Sequence, residues 1–164
     1  MAAIAAGVAL LCSVAWFAGI RFNLTASYPV GFWRLLQRPV GKGDLVFFHA
    51  PLSNPAIHWA HELGVIPWRF GCDPVMMKRI VAVPGDRVAI TTTVTVNDVA
   101  QVNSQVFAVD QAGRTIPRLA MPGIVPAGTW FLLSDYNERS FDSRYFGPID
   151  QKAVLGVAEP LWTW

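Results

Sequence analysis

The first twenty residues, MAAIAAGVALLCSVAWFAGI, constrain this chain most: they hold no Lys, Arg, Asp or Glu and are apolar at 17 positions. As one helix they would span ~30 Å, about the thickness of a bilayer's hydrocarbon core. A cleaved export leader has a basic start and a shorter apolar stretch of about 7–15 residues. A buried core helix is rarely this long without a polar face. The reading is an uncleaved transmembrane anchor over 1–20, followed by one extramembrane domain over 21–164 that carries every charged side chain. Arg21, Arg34 and Arg38 follow the anchor, a bias that taken alone would hold the domain in the cytoplasm. A longer natural N-terminus, or partner proteins, would reverse it.

The rest of the composition narrows the class. The 164 residues are 53% hydrophobic and 15% charged, against about 25% charged in soluble domains. Disorder, collagen-like repeats and disulfide-dense scaffolds are excluded. A net charge of +2 does not point to nucleic acid. Cys12 and Cys72 form no C-x-x-C pair and no zinc spacing, so both read as unpaired and structural.

Beyond the anchor, strands and turns dominate. GDLVFFHA (43–50), KRIVAV (78–83) and RVAITTTVTV (87–96) are β-rich runs, the last two separated by the turn Pro84-Gly85-Asp86. Asn97-Asp98 marks another turn, and VPAG (125–128) leads into the strand-like TWFLLS. NPAIHWAHELG (54–64) carries helix punctuation, with Asn54 as N-cap, Pro55 in the first turn and Gly64 beyond the end. Ile57, Ala60 and Leu63 would share its apolar face. The loop VIPWRFGCDP follows, with Trp68 and Phe70 near its tip. The expected fold is a mainly β, antiparallel domain with few helices behind the N-terminal transmembrane helix.

Hydrolytic chemistry needs a nucleophile, a base and donors for an oxyanion. His58 and His61 in H-W-A-H-E do not follow the H-E-x-x-H or H-x-x-E-H metalloprotease orders and read as ordinary helix residues. There is no Gly-x-Ser-x-Gly elbow and no phosphate-cradling glycine loop. Lysine is scarce. Lys42 and Lys152 read as solvated, whereas Lys78 adjoins Met76-Met77 and Ile80-Val81-Ala82-Val83. Desolvation there would depress its pKa and make it a general base, although from that segment alone a lysine snorkelling from a strand end is the favoured reading. Among Ser13, Ser27, Ser53, Ser104, Ser134, Ser140 and Ser143, Ser27 stands seven residues past the anchor. Pro29 fixes an extended Tyr28 beside it and Gly31 permits a sharp change of direction.

Taken together, T-A-S-Y-P-V-G, G-D-L-V-F-F, M-K-R-I-V-A-V-P-G-D and S-D-Y-N-E-R-S-F-D-S-R-Y-F-G-P resemble, in order and spacing, the boxes of type I signal peptidases. The chain is similar in particular to the conjugative-transfer (TraF-type) branch. It shares that branch's Ser-x-Pro-x-Gly entry, a G-R-x-x-P element at Gly113 to Pro117 and a PLWT-like ending at Pro160 to Thr163. The resemblance covers residues 23 to the end, with 52–75 and 97–112 as variable parts.

The resemblance implies a signal-peptidase-like β fold and a Ser-Lys dyad, with Ser27 as nucleophile and Lys78 as general base. It implies an oxyanion hole from the Ser27 N–H and the Thr25 hydroxyl, with Ser140 orienting the Lys78 amine. Asp142 and Arg144 would form a supporting ion pair, with Asp135 opening the last box. Two departures from the general pattern stand out: Ser134-Asp135-Tyr136 replaces Gly-Asp-Asn, and Tyr28 replaces a methionine.

The implied activity is processing of a pilin or other exported precursor with small residues before the cut, ending in a linear or a cyclised product. The implied setting is the bacterial inner membrane, single-pass, with the catalytic domain in the periplasm. Phe32, Trp33, Trp68 and Phe70 read equally as aromatics at the lipid headgroups or, for some of them, as core residues, and conjugative type IV secretion components would be further partners. No metal, organic cofactor or nucleic acid is implied. A general signal peptidase and a non-catalytic anchored scaffold are the competing readings. A self-cleaving Ser-Lys regulator would carry a DNA-binding domain where this chain has its apolar segment.

Overall fold

The computed structural model describes residues 1, 7, 10, 13–66, 74–120 and 122–164. Among the described residues eleven strands form two antiparallel sheets, and the mainly β expectation holds. The larger sheet contains β1 (Ile20–Asn23), β2 (Gly31–Leu36), β3 (Leu45–His49), β4 (Val75–Ala82), β9 (Thr129–Leu133), β10 (Ile149–Asp150) and β11 (Val154–Thr163), in the order β1-β2-β11-β3-β4-β9-β10. The smaller contains β5 (Arg87–Ile90), β6 (Val94–Val96), β7 (Val99–Ala100) and β8 (Gly123–Ile124), in the order β7-β6-β5-β8. Besides a helical stretch over residues 13–17 and a 3-10 turn at Gln151–Ala153, the described residues form the short helices α1 (Pro55–Glu62) and α2 (Ser143–Phe146).

The central strands of the large sheet bury both faces, so they read as continuous apolar runs rather than alternating ones. In β3, Val46 and Phe48 enter a core with Ala56, Ile57, Ile80 and Leu132 beneath the helices. Leu45 and Phe47 face a second core with Tyr28, Trp33, Met77 and Ala158. Period-two alternation therefore sends Lys78 and Ile80 of β4 to the helix side, and Met77 and Arg79 to the Trp33 side. A third core of Val88, Val94, Val96, Val125, Phe131 and Leu133 joins the two sheets.

Local signals explain most of the elements. Asn54 caps α1 by accepting from the Ala56 and Ile57 amides at 3.0 and 3.2 Å. Asn97 and Asp98 adopt φ of 50° and 66°, the left-handed pair that a tight hairpin between β6 and β7 requires. At Gly31, φ is +144° and a Cβ would run into the Trp162 carbonyl, so only glycine lets β11 approach there.

Several expectations are corrected. The run 87–96 is two strands, because residues 91–93 bend between β5 and β6 and the chain doubles back on itself. Leu63 is not on the buried face of α1; it is the C-cap and is exposed. Lys42 is exposed as expected, and at the surface it pairs with Asp86 at 2.7 Å. Trp33 is buried and cannot reach a headgroup region, because it fills the second core and donates to the Pro29 carbonyl.

At the N-terminus, residues 13–17 are helical and Ile20 already belongs to β1, so the end of the expected anchor at residue 20 moves back. Among the described residues no helix is long and apolar enough to cross a membrane. Much of the segment read as an anchor (2–6, 8, 9, 11 and 12) lies outside the described residues, as do Cys12, Trp68, Phe70 and Cys72.

Candidate active site

The loop between β1 and β2 carries Thr25, Ser27 and Tyr28, and one buried side chain organises it. Asn23, the last residue of β1, donates through Nδ2 to the carbonyls of Thr25, Tyr28 and Pro29 at 2.9, 3.0 and 3.1 Å. Its Oδ1 accepts from the Thr25 amide at 3.1 Å and the Thr25 hydroxyl at 2.9 Å. Asn23 is a positioning residue that the sequence reading missed. Its only signal was an Asx-type residue at a strand end, which is common in turns without any such role.

A second layer comes from the turn after β9. Ser134 Oγ donates to the Ser27 carbonyl at 2.7 Å and accepts from the Asn137 amide at 3.1 Å. Asn137 Nδ2 donates to the Ala26 carbonyl at 3.0 Å. The carbonyls of the two peptide groups that flank the Ser27 Cα are thus both held, and the Ser27 side chain is left facing a cleft. Ser140 Oγ donates to Ser27 Oγ at 3.2 Å.

That cleft, of about 150 Å3, is lined by Thr25, Ser27, Ile66, Met76, Lys78 and Phe141 among others. Lys78 is 1% exposed and donates to the Met77 carbonyl at 3.0 Å. Burial lowers its pKa from 10.5 to about 8, with the Asp142 carboxylate pulling it back up and the Arg144 guanidinium adding to the depression. Removal from water penalises the ammonium more than the amine, so the neutral form is within reach near neutral pH. Ser27 and Lys78 share the cleft without a hydrogen bond between them. Apo sites often show long catalytic contacts that tighten only when substrate arrives.

Two implied contacts differ from expectation. Ser140 bonds Ser27, not the Lys78 amine, whose hydrogen bond goes instead to the carbonyl of Met77 on its own strand. The Thr25 hydroxyl donates to Asn23 in this structure and would have to rotate to serve an oxyanion in the cleft it lines.

Asp142 and Arg144 do form a bidentate ion pair, at 2.7 and 2.8 Å, and both are fully buried. Each atom left over has a partner. Asp142 Oδ2 also accepts from the Ser134 amide at 3.1 Å, and Oδ1 caps α2 through the Arg144 amide at 3.2 Å. Arg144 donates onward to the carbonyls of Gln105, Glu138 and Asn103 at 2.6, 2.8 and 3.1 Å. The pair therefore ties the Ser134–Ser140 turn to the neighbouring loop. Asp135 lies on the other side of the sheet, where Arg79 Nε and the Tyr28 hydroxyl meet its two oxygens.

Among the described residues no group of three or more His, Cys, Asp or Glu side chains is placed to hold a metal ion. The arrangement offers instead a serine hydroxyl, a desolvated amine and a cleft sized for small side chains.

Comparison with known proteins agrees with that chemistry. The family model for signal peptidase, peptidase S26, matches residues 1–164. A conjugal transfer protein TraF from Agrobacterium fabrum is 40% identical over 151 residues, covering 88% of this chain and 83% of that protein. A plasmid transfer protein TraF from Escherichia coli is 38% identical over 167 residues, covering 99% and 94%. A probable thylakoidal processing peptidase 2 from Arabidopsis thaliana is 32% identical over 120 residues, covering 73% of this chain and 31% of that protein.

Proposed function

The chain belongs to the signal peptidase family S26, and on that premise we propose that it is a membrane-anchored serine endopeptidase that processes a precursor protein, a pilin above all, in conjugal transfer. The observation that carries this reading is the pairing of Ser27 with a buried, pKa-lowered Lys78 in one cleft. A scaffold has no use for an ammonium held out of water, since a methionine there would pack at less cost.

In the proposed reaction the neutral Lys78 amine accepts the Ser27 hydroxyl proton as Oγ attacks the scissile carbonyl. The Ser27 N–H and a rotated Thr25 hydroxyl donate to the oxyanion. Collapse breaks the C–N bond, and the proton held on Lys78 passes to the leaving amine, which gives an ester on Ser27. Water then releases a linear product; the substrate's own amino terminus would instead release a ring. Ser140 holds Ser27 Oγ in place, while Asp142–Arg144 and Asp135 fix the turn that carries it.

The TraF relatives, named for conjugal and plasmid transfer, support conjugation over general export. We place the apolar N-terminal segment ahead of β1 in the inner membrane as a single-pass anchor, and the domain from Ile20 onward in the periplasm, with conjugative secretion components as neighbours. The apolar N-terminus supports this, as does an exposed aromatic group next to it. Trp162 is stacked on Phe32 at 6.4 Å, and Trp164 lies 5.5 Å from Trp162. Such rings favour a membrane–water interface.

The test is intact-mass analysis of a candidate pilin precursor co-expressed with wild type, Ser27→Ala or Lys78→Ala. Processing should be lost in both variants, and a product one water lighter than the linear peptide would mark cyclisation. Unchanged processing in both would sink the Ser-Lys reading.

A further inference from the structure

The turn after β9 reaches 111 residues back along the chain to the residue before Ser27: Asn137 Nδ2 donates to the Ala26 carbonyl at 3.0 Å. The proposed reaction leaves that bond without a task. We propose that Asn137 is a positioning residue for catalysis, one that fixes the plane of the Ala26–Ser27 peptide and so aims the Ser27 N–H at the oxyanion. The proposal rests on the peptidase reading above.

Peptide geometry is the first argument. The Ala26–Ser27 bond is trans, so its C=O and N–H point in opposite directions within one plane. A donor that holds the Ala26 oxygen therefore sets the direction of the Ser27 N–H as well, away from Asn137. Residues 26 and 27 lie in a turn, outside any strand or helix, so no backbone ladder fixes that plane. Among the described residues none accepts from the Ser27 amide. One peptide thus has a held carbonyl and an unspent N–H, as a preorganised oxyanion donor requires.

The second argument is how firmly Asn137 is itself held. Its Oδ1 accepts from the Arg139 amide at 2.9 Å, which leaves Nδ2 as the end of the carboxamide that faces Ala26. Its own amide donates to Ser134 Oγ at 3.1 Å, and its carbonyl accepts from the Ser140 amide at 3.1 Å. All four polar groups of this half-buried residue are engaged. Two of the partners act on Ser27 directly: Ser134 Oγ donates to its carbonyl at 2.7 Å, and Ser140 Oγ to its Oγ at 3.2 Å. Ser134 cannot replace Asn137, because the Ser27 carbonyl belongs to the next peptide and holding it aims the Tyr28 N–H instead.

Aim matters because a hydrogen bond weakens steeply once its angle falls below about 120°. A peptide plane free to rotate would have to be ordered as the reaction proceeds. That cost falls where negative charge develops, so it belongs to the transition state and not to substrate binding.

The experiment compares the full-length wild type with Asn137→Ala and Asn137→Asp on one precursor peptide, each kcat taken at the plateau of its own pH profile. The aspartate keeps an oxygen for the Arg139 amide and loses only the donor to Ala26. In both variants kcat should fall roughly 10- to 100-fold with KM within about twofold. The inhibition constant of a peptide aldehyde should rise by the same factor: Ser27 Oγ adds to its carbonyl carbon, the Oγ proton passes to Lys78, and the new oxyanion needs the same donor. Binding of the matching reduced-bond peptide, which has no carbonyl at that position, should not change. A merely structural residue would lower the melting temperature without producing that split. Wild-type kcat in both variants, equal losses for aldehyde and reduced-bond peptide, or failure of both variants to fold would overturn the positioning role and leave the peptidase intact. Processing that survives in Ser27→Ala would instead overturn the peptidase reading, and the positioning role with it.

Discussion

The Tyr28 hydroxyl donates to Asp135 Oδ1 at 2.7 Å, which ties the residue after Ser27 to the same carboxylate that receives Arg79, the residue after Lys78, at 2.7 Å on its other oxygen. Strand alternation puts this clamp on the face opposite the cleft, so it sets the spacing of Ser27 and Lys78 without touching substrate. The two departures from the general family pattern, at position 28 and over 134–136, are thus one feature: Tyr28 bonds Asp135 and stacks on Tyr136 at 6.1 Å. Burial and the neighbouring carboxylate push the phenol's pKa up, so it donates at every working pH.

Tyr28→Phe keeps the ring and removes that bond. Stability should fall by about 1 kcal/mol, since Asp135 is partly solvated. Turnover should fall several-fold with KM nearly unchanged, because the bond positions the dyad and does not bind peptide. Steady-state kinetics with urea unfolding would check both, and a wild-type kcat in Tyr28→Phe would remove the clamp from the mechanism.

The pH dependence follows from Lys78. Its amine must be neutral to accept a proton, and its pKa is lowered to about 8. Activity should therefore climb through about pH 8 and drop roughly tenfold per unit well below it. A profile flat from acid to alkaline conditions would rule Lys78 out as the base.

Asp142 adds a second handle on the same titration. Its carboxylate raises the Lys78 pKa, so Asp142→Asn should move the activity midpoint to lower pH. It also strands the fully buried Arg144, at a cost of about 3–5 kcal/mol in stability. Denaturant midpoints and a pH–rate series on the surviving folded protein would test the two effects separately.

What the sequence disclosed and what it hid divide along range. The burial of Lys78 was only half legible, because Met76-Met77 and, beyond Arg79, Ile80-Val81-Ala82-Val83 suit a snorkelling lysine better and only the box order singled it out, whereas α1 was legible because Asn54 and Pro55 act within one turn. The break at residues 91–93 was hidden, because the β-branched run Thr91-Thr92-Thr93 continues the strand pattern through a bend. Asn23 was hidden for a different reason. Its five hydrogen bonds depend on a loop closing around it, and nothing in a lone asparagine reports that closure. The partner of Ser140 was misassigned to Lys78 for the same reason: Ser27 and Ser140 lie 113 residues apart in the chain, so box order could bring both to the site without saying which would touch.

Thr25 is expected to act only in the transition state. Its hydroxyl rests on Asn23 at 2.9 Å, so Thr25→Val should leave the fold and KM almost unchanged while lowering kcat roughly 100-fold, the loss typical of one oxyanion donor. Thr25→Ser should restore most of the rate. Full activity in the valine variant would mean that backbone amides alone hold the oxyanion.

The last expectation concerns stability. In the unfolded chain Lys78 titrates near its ordinary 10.5, and in the folded protein near 8. Between those values the unfolded state binds more protons, so stability rises with pH. Below about pH 8 the folded state bears the full penalty of a buried ammonium, on the order of 3 kcal/mol from a shift of this size. Lys78→Met removes the charge and keeps an unbranched apolar stem of similar reach. It should be inactive yet more stable than wild type at pH 7, with the gap closing as pH approaches 10.5. Thermal melts of both proteins at pH 7 and pH 10 decide the matter: a gap that does not change with pH would mean that Lys78 is not held out of water as described, and a less stable methionine variant would mean that the ammonium contributes more through its contacts than it loses by burial.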